Sequence, residues 1–394
     1  MYKREYYKTL IARLSEPRGF IQVVTGPRQI GKTTMVQQVL ENIHVPSLYR
    51  SADGQIDDTG FWINNAWEEA RLMLKTRKFK EIILCFDEIQ KINQWSEHVK
   101  REWDHDTMNN IPVKLVLLGS SRLLIQEGLS ESLSGRFESI SMSHWSFNEM
   151  KSAFGFDHDQ YVFFGGYPGA VRLISNEIRW ADYVRDSLIE TAISKDIYQM
   201  TRINKPALLR RLFELSVQYS GELVSFTKML GQLQDPGNTV TLAHYLALLE
   251  TAGLVSGIQK YSHQQIRQRA SSPKLQVFNT ALKGSLSGLT FSQLRSDPPR
   301  WGRFVESAIG AHLLNQSINQ AFKVFYWRDR NMEVDFIIQQ GNKITALEVK
   351  SGKPKSFSGL NEFKRRIPTA KINIIGTGGI PWQTFLESDP SALL

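Results

Sequence analysis

The sequence predicts an α/β protein that contains more than one domain. Its 394 residues correspond to about two to four domains of ordinary size. Apolar strands such as IQVV and IILC alternate with helical patterns in the first half of the chain, as expected for a parallel sheet. Near the C-terminus, two strands of alternating apolar and polar residues predict an antiparallel hairpin instead.

The composition is that of a folded protein in a reducing compartment. Hydrophobic residues make up 41% of the chain and charged residues 22%, which excludes disorder, collagen and a coiled coil for the chain as a whole. The N-terminus is polar and no apolar run approaches the length of a membrane span, so we expect neither a signal peptide nor a membrane segment. The single cysteine, Cys85, excludes an intramolecular disulfide and a multi-cysteine zinc site. We therefore expect a soluble, cytoplasmic protein.

The excess positive charge lies in the second half of the chain. Residues 1–200 contain 24 Lys+Arg and 26 Asp+Glu, a net charge of −2, whereas residues 201–394 contain 24 and 13, a net charge of +11. Such an excess either serves solubility or attracts a polyanion. We favour the second interpretation and expect nucleic acid, DNA rather than RNA, as the partner.

A glycine-rich loop follows the first predicted strand. The segment GPRQIGKTT lies between the strand FIQVV and the amphipathic helix MVQQVLENI. Such loops curl backbone N–H groups around phosphate oxygens, while the lysine reaches the β- and γ-phosphates and the next hydroxyl ligates Mg²⁺. The residues predicted to bind ATP here are Gly26, Pro27, Arg28, Gln29, Ile30, Gly31, Lys32, Thr33 and Thr34. Of these, Thr33 is also a predicted ligand of the metal.

The acidic strand end that this loop requires occurs some 55 residues after Lys32. The strand IILCF is apolar throughout and is followed by Asp87 and Glu88, at the edge where open α/β sheets bind ligands. We expect Asp87 to hold Mg²⁺, through water, and Glu88 to act as the base that orients the attacking water.

Two further residues are candidates for the same site. Ser120 follows the apolar strand KLVLLG and could sense the γ-phosphate, or could equally cap a helix. Arg136 follows Gly135 and could act as an arginine finger on the nucleotide of a neighbouring subunit in a homo-oligomer. The alternative for Arg136 is a local salt bridge.

The order of these motifs resembles a known family. GPRQIGKTT, FDEIQ, LLGSSRLL, SLSGRF and FFGGYPGAV are similar to motifs of the AAA-type ATP-binding proteins of bacteria and archaea that end in a domain of unknown function. The resemblance covers nearly the whole chain. It implies a RecA-like P-loop ATPase core over residues 1–150 and a helical lid over residues 151–215.

Residues 216–270 predict a winged-helix-like segment and a connector. Three short helical patterns between residues 206 and 252 precede the apolar strand LVSGI, an order that suggests a winged helix, and winged helices often bind the DNA major groove. The candidate recognition helix, residues 240–252, contains no Lys or Arg. We therefore favour a spacer or a docking site for a protein partner over direct reading of bases.

The C-terminal hairpin is predicted to place four charged residues on one face. Gly341 and Asn342 suit a two-residue turn, in which residues whose numbers sum to 683 lie opposite one another. Asp335 then faces Glu348, while Glu333 faces Lys350.

Two opposed carboxylates repel one another unless something compensates. We expect Mg²⁺ or Mn²⁺ to bind Asp335 and Glu348, with Lys350 polarising a scissile phosphate. The alternative is a solvated hairpin with surface ion pairs.

Glu306 is a third candidate ligand, because it lies on the inward stripe of the helix RFVESAIGAHLLN. Glu306, Asp335 and the Glu348-Val349-Lys350 segment resemble the PD-(D/E)xK nuclease core, with an acid on a helix, an acid on one strand and E-x-K on the next. The resemblance implies a restriction-endonuclease-like α/β fold over residues 271–394. A basic run suited to phosphate contacts follows, namely Lys353, Lys355, Lys364, Arg365, Arg366 and Lys371.

The sequence as a whole predicts an ATPase whose nucleotide cycle drives or gates a metal-dependent nuclease-like domain acting on DNA or RNA. In a first alternative, the C-terminal domain binds nucleic acid or a protein partner without cleavage. In a second, the nucleotide state controls a protein partner and nucleic acid plays no part.

Overall fold

A computed structural model of the protein describes residues 2–54, 60–119, 129, 132–198, 203–233, 238–262, 271–350, 352 and 358–394. These residues form two compact units, Met1–Met142 and Ser143–Leu394. No helix within the described ranges is long and apolar enough to cross a membrane. The predicted boundaries at residues 150, 215 and 270 stay predictions.

A five-stranded parallel sheet forms the centre of the first unit. Its strands are β1 (Ile21–Thr25), β2 (Ser47–Ser51), β3 (Ile82–Asp87), β4 (Val113–Gly119) and β5 (Phe137–Ser141). Their order is β2–β3–β4–β1–β5, with parallel pairing throughout. Every residue of β1, β3 and β4 is buried, which explains why these strands are continuous apolar runs rather than alternating ones.

Helices complete the first unit. They are α1 (Tyr6–Ser15), α2 (Lys32–Asn42), α3 (Phe61–Arg77) and α4 (Trp95–Met108), with a 3₁₀ turn at Ile89–Lys91. The apolar stripes of α3 and α4 pack with the sheet in one core, in which Trp67 and Trp103 join Leu84 and Leu115. Burying these stripes fixes the sheet edge on which the glycine-rich loop lies.

Helices and a two-stranded sheet form the first part of the second unit. The helices are α5 (Phe147–Phe154), α6 (His158–Phe164), α7 (Glu177–Asp182), α8 (Pro206–Gln218), α9 (Phe226–Leu233) and α10 (Thr239–Thr251). A 3₁₀ helix (Pro168–Leu173) and two π-helical stretches (Tyr183–Ile189 and Ala192–Ile197) lie between α6 and α8. Strands β6 (Val255–Ile258) and β7 (Lys274–Val277) pair antiparallel. Three helices and a strand thus follow one another as the sequence patterns indicate, and the winged-helix assignment stays a prediction.

A four-stranded sheet forms the last part of the second unit. Its elements are α11 (Thr280–Leu286), α12 (Phe291–Arg295), α13 (Pro298–Ser317), β8 (Lys323–Asp329), β9 (Met332–Gln340), β10 (Lys343–Lys350), α14 (Ser358–Arg366), β11 (Lys371–Gly376), α15 (Trp382–Glu387) and a 3₁₀ turn at Pro390–Leu393. The strand order is β11–β10–β9–β8, antiparallel except for β10 and β11, which are parallel.

The predicted hairpin register is confirmed. Five pairs, from Lys343 opposite Gln340 to Leu347 opposite Phe336, have residue numbers that sum to 683. Gly341 in the turn has a positive φ of 58°, which glycine adopts without steric cost.

Candidate functional site

The glycine-rich loop connects β1 to α2 and has an unusual backbone. Gly26, Gln29 and Gly31 have φ values of 152°, 61° and 86°, in the region that favours glycine. A Cβ atom on Gly26 would lie 2.4 Å from the carbonyl oxygen of Met142, so no larger residue fits there. Helix α2 begins at Lys32, immediately after Gly31, and its positive N-terminal end therefore lies at the loop.

The ammonium group of Lys32 lies on this loop. Its Nζ donates to the carbonyl oxygens of Gly26 at 2.9 Å and Pro27 at 2.7 Å, and the side chain is buried. Thr34, one residue beyond Thr33, is exposed. The loop and the start of α2 thus place a lysine ammonium and a threonine hydroxyl next to each other.

The carboxylate of Asp87 links α2 to the sheet. Its Oδ2 accepts the Thr33 hydroxyl at 2.8 Å and the Tyr49 hydroxyl at 2.5 Å, and its Oδ1 accepts the backbone N–H of Glu88 at 2.9 Å. The structure therefore brings together the two predicted Mg²⁺ ligands, Thr33 and Asp87. Tyr49 was not predicted. Burial, and then its hydrogen bond to Asp87, raise the pKa of Tyr49, so the phenol stays a donor.

Glu88 has a left-handed backbone, with a φ of 53°. This conformation costs a non-glycine residue about 1–3 kcal/mol and is concentrated at functional sites. Its Oε2 accepts the amide of Gln90 at 2.6 Å, and the side chain is partly exposed. Glu88 therefore lies directly beyond the Asp87 carboxylate.

The remaining candidates of the first unit stand apart from this cluster. Arg136 forms a two-pronged ion pair with Asp104, at 2.8 Å and 3.0 Å, which is the local salt bridge that the sequence left open. Ser120 lies outside the described residues. The sensing role of Ser120 and the finger role of Arg136 stay predictions.

A buried lysine dominates the C-terminal candidate site. Lys274 of β7, which the sequence analysis missed, is fully buried. Its Nζ donates to Glu306 Oε1 at 2.9 Å and approaches Asp335 Oδ1 at 3.4 Å. Although burial opposes the charge, these two acids hold the pKa of Lys274 above its ordinary value.

The other predicted residues of this site pair with one another. Lys350 Nζ donates to Glu348 Oε1 at 2.5 Å, and Asp335 Oδ2 accepts the backbone N–H of Val349 at 2.8 Å. Glu348 Oε2 is buried and has no hydrogen-bond partner within the described part of the chain. The predicted convergence of acids on one side of the hairpin is therefore present, but two lysines lie among them.

These residues do not fit the predicted second metal. In the ranges that the structure describes, no group of three or more His, Cys, Asp or Glu residues could hold a metal ion. The physical reason is that the facing oxygens of Glu306 and Asp335 already accept the ammonium of Lys274.

The basic run after the hairpin is largely engaged within the protein. Lys364 donates to the carbonyl oxygens of Pro368 and Ala370. Arg365 and Arg366 both pair with Glu362. Lys371 donates to Leu394, and Lys353 and Lys355 lie outside the described residues. The described members of this run therefore expose less uncompensated charge than the sequence implies.

The ionisation of Glu348 predicts a pH-dependent stability. Burial, and then the charge of Asp335, raise the pKa of Glu348 to about 7. A carboxyl group whose pKa is raised by folding stabilises the protein below its unfolded pKa, and this contribution is lost as the pH rises towards 7.

Glu348→Gln should therefore gain stability relative to wild type between pH 5 and pH 8, by roughly 3 kcal/mol. Urea unfolding of both proteins at the two pH values measures this difference. An unchanged difference would mean that Glu348 titrates normally.

Three family models match successive parts of the chain. An AAA domain matches residues 18–151, and two domains of unknown function match residues 155–293 (DUF8612) and 301–380 (DUF4143). The uncharacterized protein Rv2008c of Mycobacterium tuberculosis is 26% identical over 348 residues, which cover 86% of this chain and 72% of that protein. The uncharacterized protein MJ1544 of Methanocaldococcus jannaschii is 23% identical over 346 residues, 82% of this chain and 73% of that one.

Two solved structures illustrate the similarity in fold. The Aeropyrum pernix ORC1 protein in complex with DNA has a TM-score of 0.31 at 14% identity, over 73% of this chain and 92% of that one. The Thermotoga maritima RuvB Holliday junction branch migration motor has a TM-score of 0.33 at 16% identity, over 64% of this chain and 89% of that one. The glycine-rich loop, the Thr33–Asp87 contact and the AAA-domain match over residues 18–151 together support an AAA-family ATPase domain in the N-terminal part of the chain.

Proposed function

We propose that the first unit hydrolyses ATP with the help of Mg²⁺. The observation that carries the proposal is the 2.8 Å contact between the Thr33 hydroxyl and the Asp87 carboxylate, beside the ammonium of Lys32. Both groups are hard oxygen donors, the kind that Mg²⁺ prefers. Thr33 and Asp87 would hold the ion, which when bound neutralises charge on the transferred phosphoryl group.

The protein's own groups supply the remaining steps. Lys32 would exchange the carbonyl oxygens of Gly26 and Pro27 for phosphate oxygens, while the loop N–H groups and the N-terminus of α2 hold the phosphates. Glu88 would orient the attacking water and accept its proton. In a homo-oligomer, Arg136 would leave Asp104 to reach a neighbouring nucleotide, and Ser120 would sense the γ-phosphate.

Replacing Lys32 by alanine tests the phosphate-binding role. We expect Lys32→Ala to lower the ATP hydrolysis rate at least about 100-fold, because the loop loses the only side-chain cation that the motif directs at the phosphates. Phosphate release measures the rate. Lys8, which is exposed on α1, provides the control, since Lys8→Ala should hydrolyse ATP normally. Normal hydrolysis by Lys32→Ala would refute the proposed site.

For the second unit, we infer that it binds nucleic acid without cleaving it, under the control of the nucleotide state. The net charge of +11 over residues 201–394 supports a polyanionic partner. The element order α13–β8–β9–β10–α14–β11, with Glu348 and Lys350 on one strand, supports a nuclease-like fold. The lysine between Glu306 and Asp335 favours binding over cleavage, and metal-dependent cleavage stays a prediction.

Labelled DNA distinguishes the alternatives for the second unit. We expect binding to a DNA duplex that weakens as salt rises, because Lys and Arg contacts to phosphate release counterions. We also expect Glu348→Ala and Lys350→Ala to show the same background cutting as wild type in Mg²⁺ or Mn²⁺. Cutting by wild type alone would establish the nuclease. No binding even at low salt would favour a protein partner, for which the winged-helix-like segment is the proposed docking site.

A further inference from the structure

The position of Lys274 is fixed by backbone pairing on both sides of β7. On one side, Lys274 lies opposite Ile258 of β6. On the other, its backbone forms an isolated bridge with Leu223, and Leu275 exchanges hydrogen bonds with Gly221 and Glu222. The side chain therefore emerges from a strand that cannot shift without breaking several hydrogen bonds.

Strand β7 also packs closely on α13, the helix that contains Glu306. Gln276, two residues beyond Lys274 and on the same face, donates to the carbonyl oxygen of Ser307 at 2.8 Å. Gly310 makes this approach possible, because a Cβ atom there would lie 2.2 Å from Gln276 Oε1. The lysine is thus built into the carboxylate cluster by the same contacts that hold the strand to the helix.

The surroundings of the ammonium group are those of a bound cation. Besides the two carboxylates, Lys274 Nζ donates to the carbonyl oxygen of Asp335 at 3.3 Å and lies 4.6 Å from the centre of the Phe336 ring. An ammonium with no exposed surface requires such partners, because it has lost its water. Oxygens and an aromatic face together replace that hydration.

We propose that the ammonium of Lys274 is the resident cation of the C-terminal carboxylate cluster and replaces the divalent metal of a nuclease-like site. It takes the facing oxygens of Glu306 and Asp335. The other Asp335 oxygen accepts the N–H of Val349, and Lys350 takes one oxygen of Glu348. A divalent ion on these oxygens would lie next to a buried positive charge and be repelled by it.

The inference concerns the same cluster as the proposed non-cleaving domain but does not depend on ATP hydrolysis or on DNA binding. Failure of either function in the assays above would leave it standing. Conversely, a metal found at this cluster would overturn the inference and leave the ATPase proposal intact.

Titration with Mn²⁺ alone, followed by electron paramagnetic resonance, tests the inference on the full chain. Every sample carries Asp87→Asn to remove the proposed metal ligand of the first unit, and contains no nucleotide. We expect Asp335→Asn to change Mn²⁺ affinity by less than about twofold, since a true metal ligand costs at least about tenfold. Saturable binding that Asp335→Asn weakens about tenfold or more would overturn the inference.

A second variant makes the test positive. Lys274→Met removes the ammonium at nearly constant length and should create Mn²⁺ binding that Asp335→Asn then abolishes. Failure of folded Lys274→Met to bind Mn²⁺ would count against the replacement of a metal by Lys274. If Lys274→Met does not fold, the comparison in the Lys274 background still decides.

Discussion

Glu88→Gln is expected to lower the ATP turnover of the protein by about 10²–10⁴-fold, the usual contribution of a general base, without weakening ATP binding. The carboxylate lies one residue beyond Asp87, whose Oδ2 contacts Thr33. Glutamine keeps the size of the side chain and can still pair with Gln90. It cannot accept a proton from water, so only the chemical step is lost.

Two measurements on Glu88→Gln separate binding from chemistry. Fluorescent ATP titration should give the wild-type dissociation constant, and single-turnover hydrolysis should show the loss. Glu41→Gln on α2, where the side chain is exposed, is the matched control and should hydrolyse ATP like wild type. If Glu88→Gln turned over at the wild-type rate, another residue would have to orient the water.

The nucleotide site was predictable because its geometry is mostly local. The spacing of Gly26, Gly31 and Lys32 defines a loop between a strand and a helix, whose backbone follows from that connection. The contact from Thr33 to Asp87 follows from strand order, since both lie at the carboxyl ends of parallel strands. Tyr49 was not predictable, because its contact with Asp87 requires that β2 lie beside β3, and no pattern in SLYRS indicates that neighbour.

The C-terminal cluster shows where sequence patterns stop. The pairing of β9 with β10 was predictable, because a two-residue turn fixes the register of the hairpin. Lys274 is 61 residues from Asp335 along the chain and belongs to a four-residue strand next to a segment interpreted as a connector. The alternation of Lys274 and Gln276 with Leu275 and Val277 was the available signal. Periodicity alone gave no reason for a lysine to point towards acids.

Lys274→Met is expected to lower the stability of the second unit by about 3–5 kcal/mol, the usual cost of removing one partner of a buried ion pair. The loss arises because Glu306 and Asp335 would stay charged with no compensating cation. Urea unfolding measures it. Lys323→Met on β8, where the side chain is exposed, is the control and should change stability by no more than about 0.5 kcal/mol.

The origin of this loss can be separated from a loss of packing by neutralising the acids instead. If uncompensated charge is the cause, Glu306→Gln should destabilise the Lys274→Met protein far less than it destabilises wild type, or should even restore stability, because it removes one of the orphaned charges. Lowering the pH should act in the same direction, since protonation of the acids replaces the missing cation. Additive effects of the two substitutions at every pH would show that Lys274 only fills space.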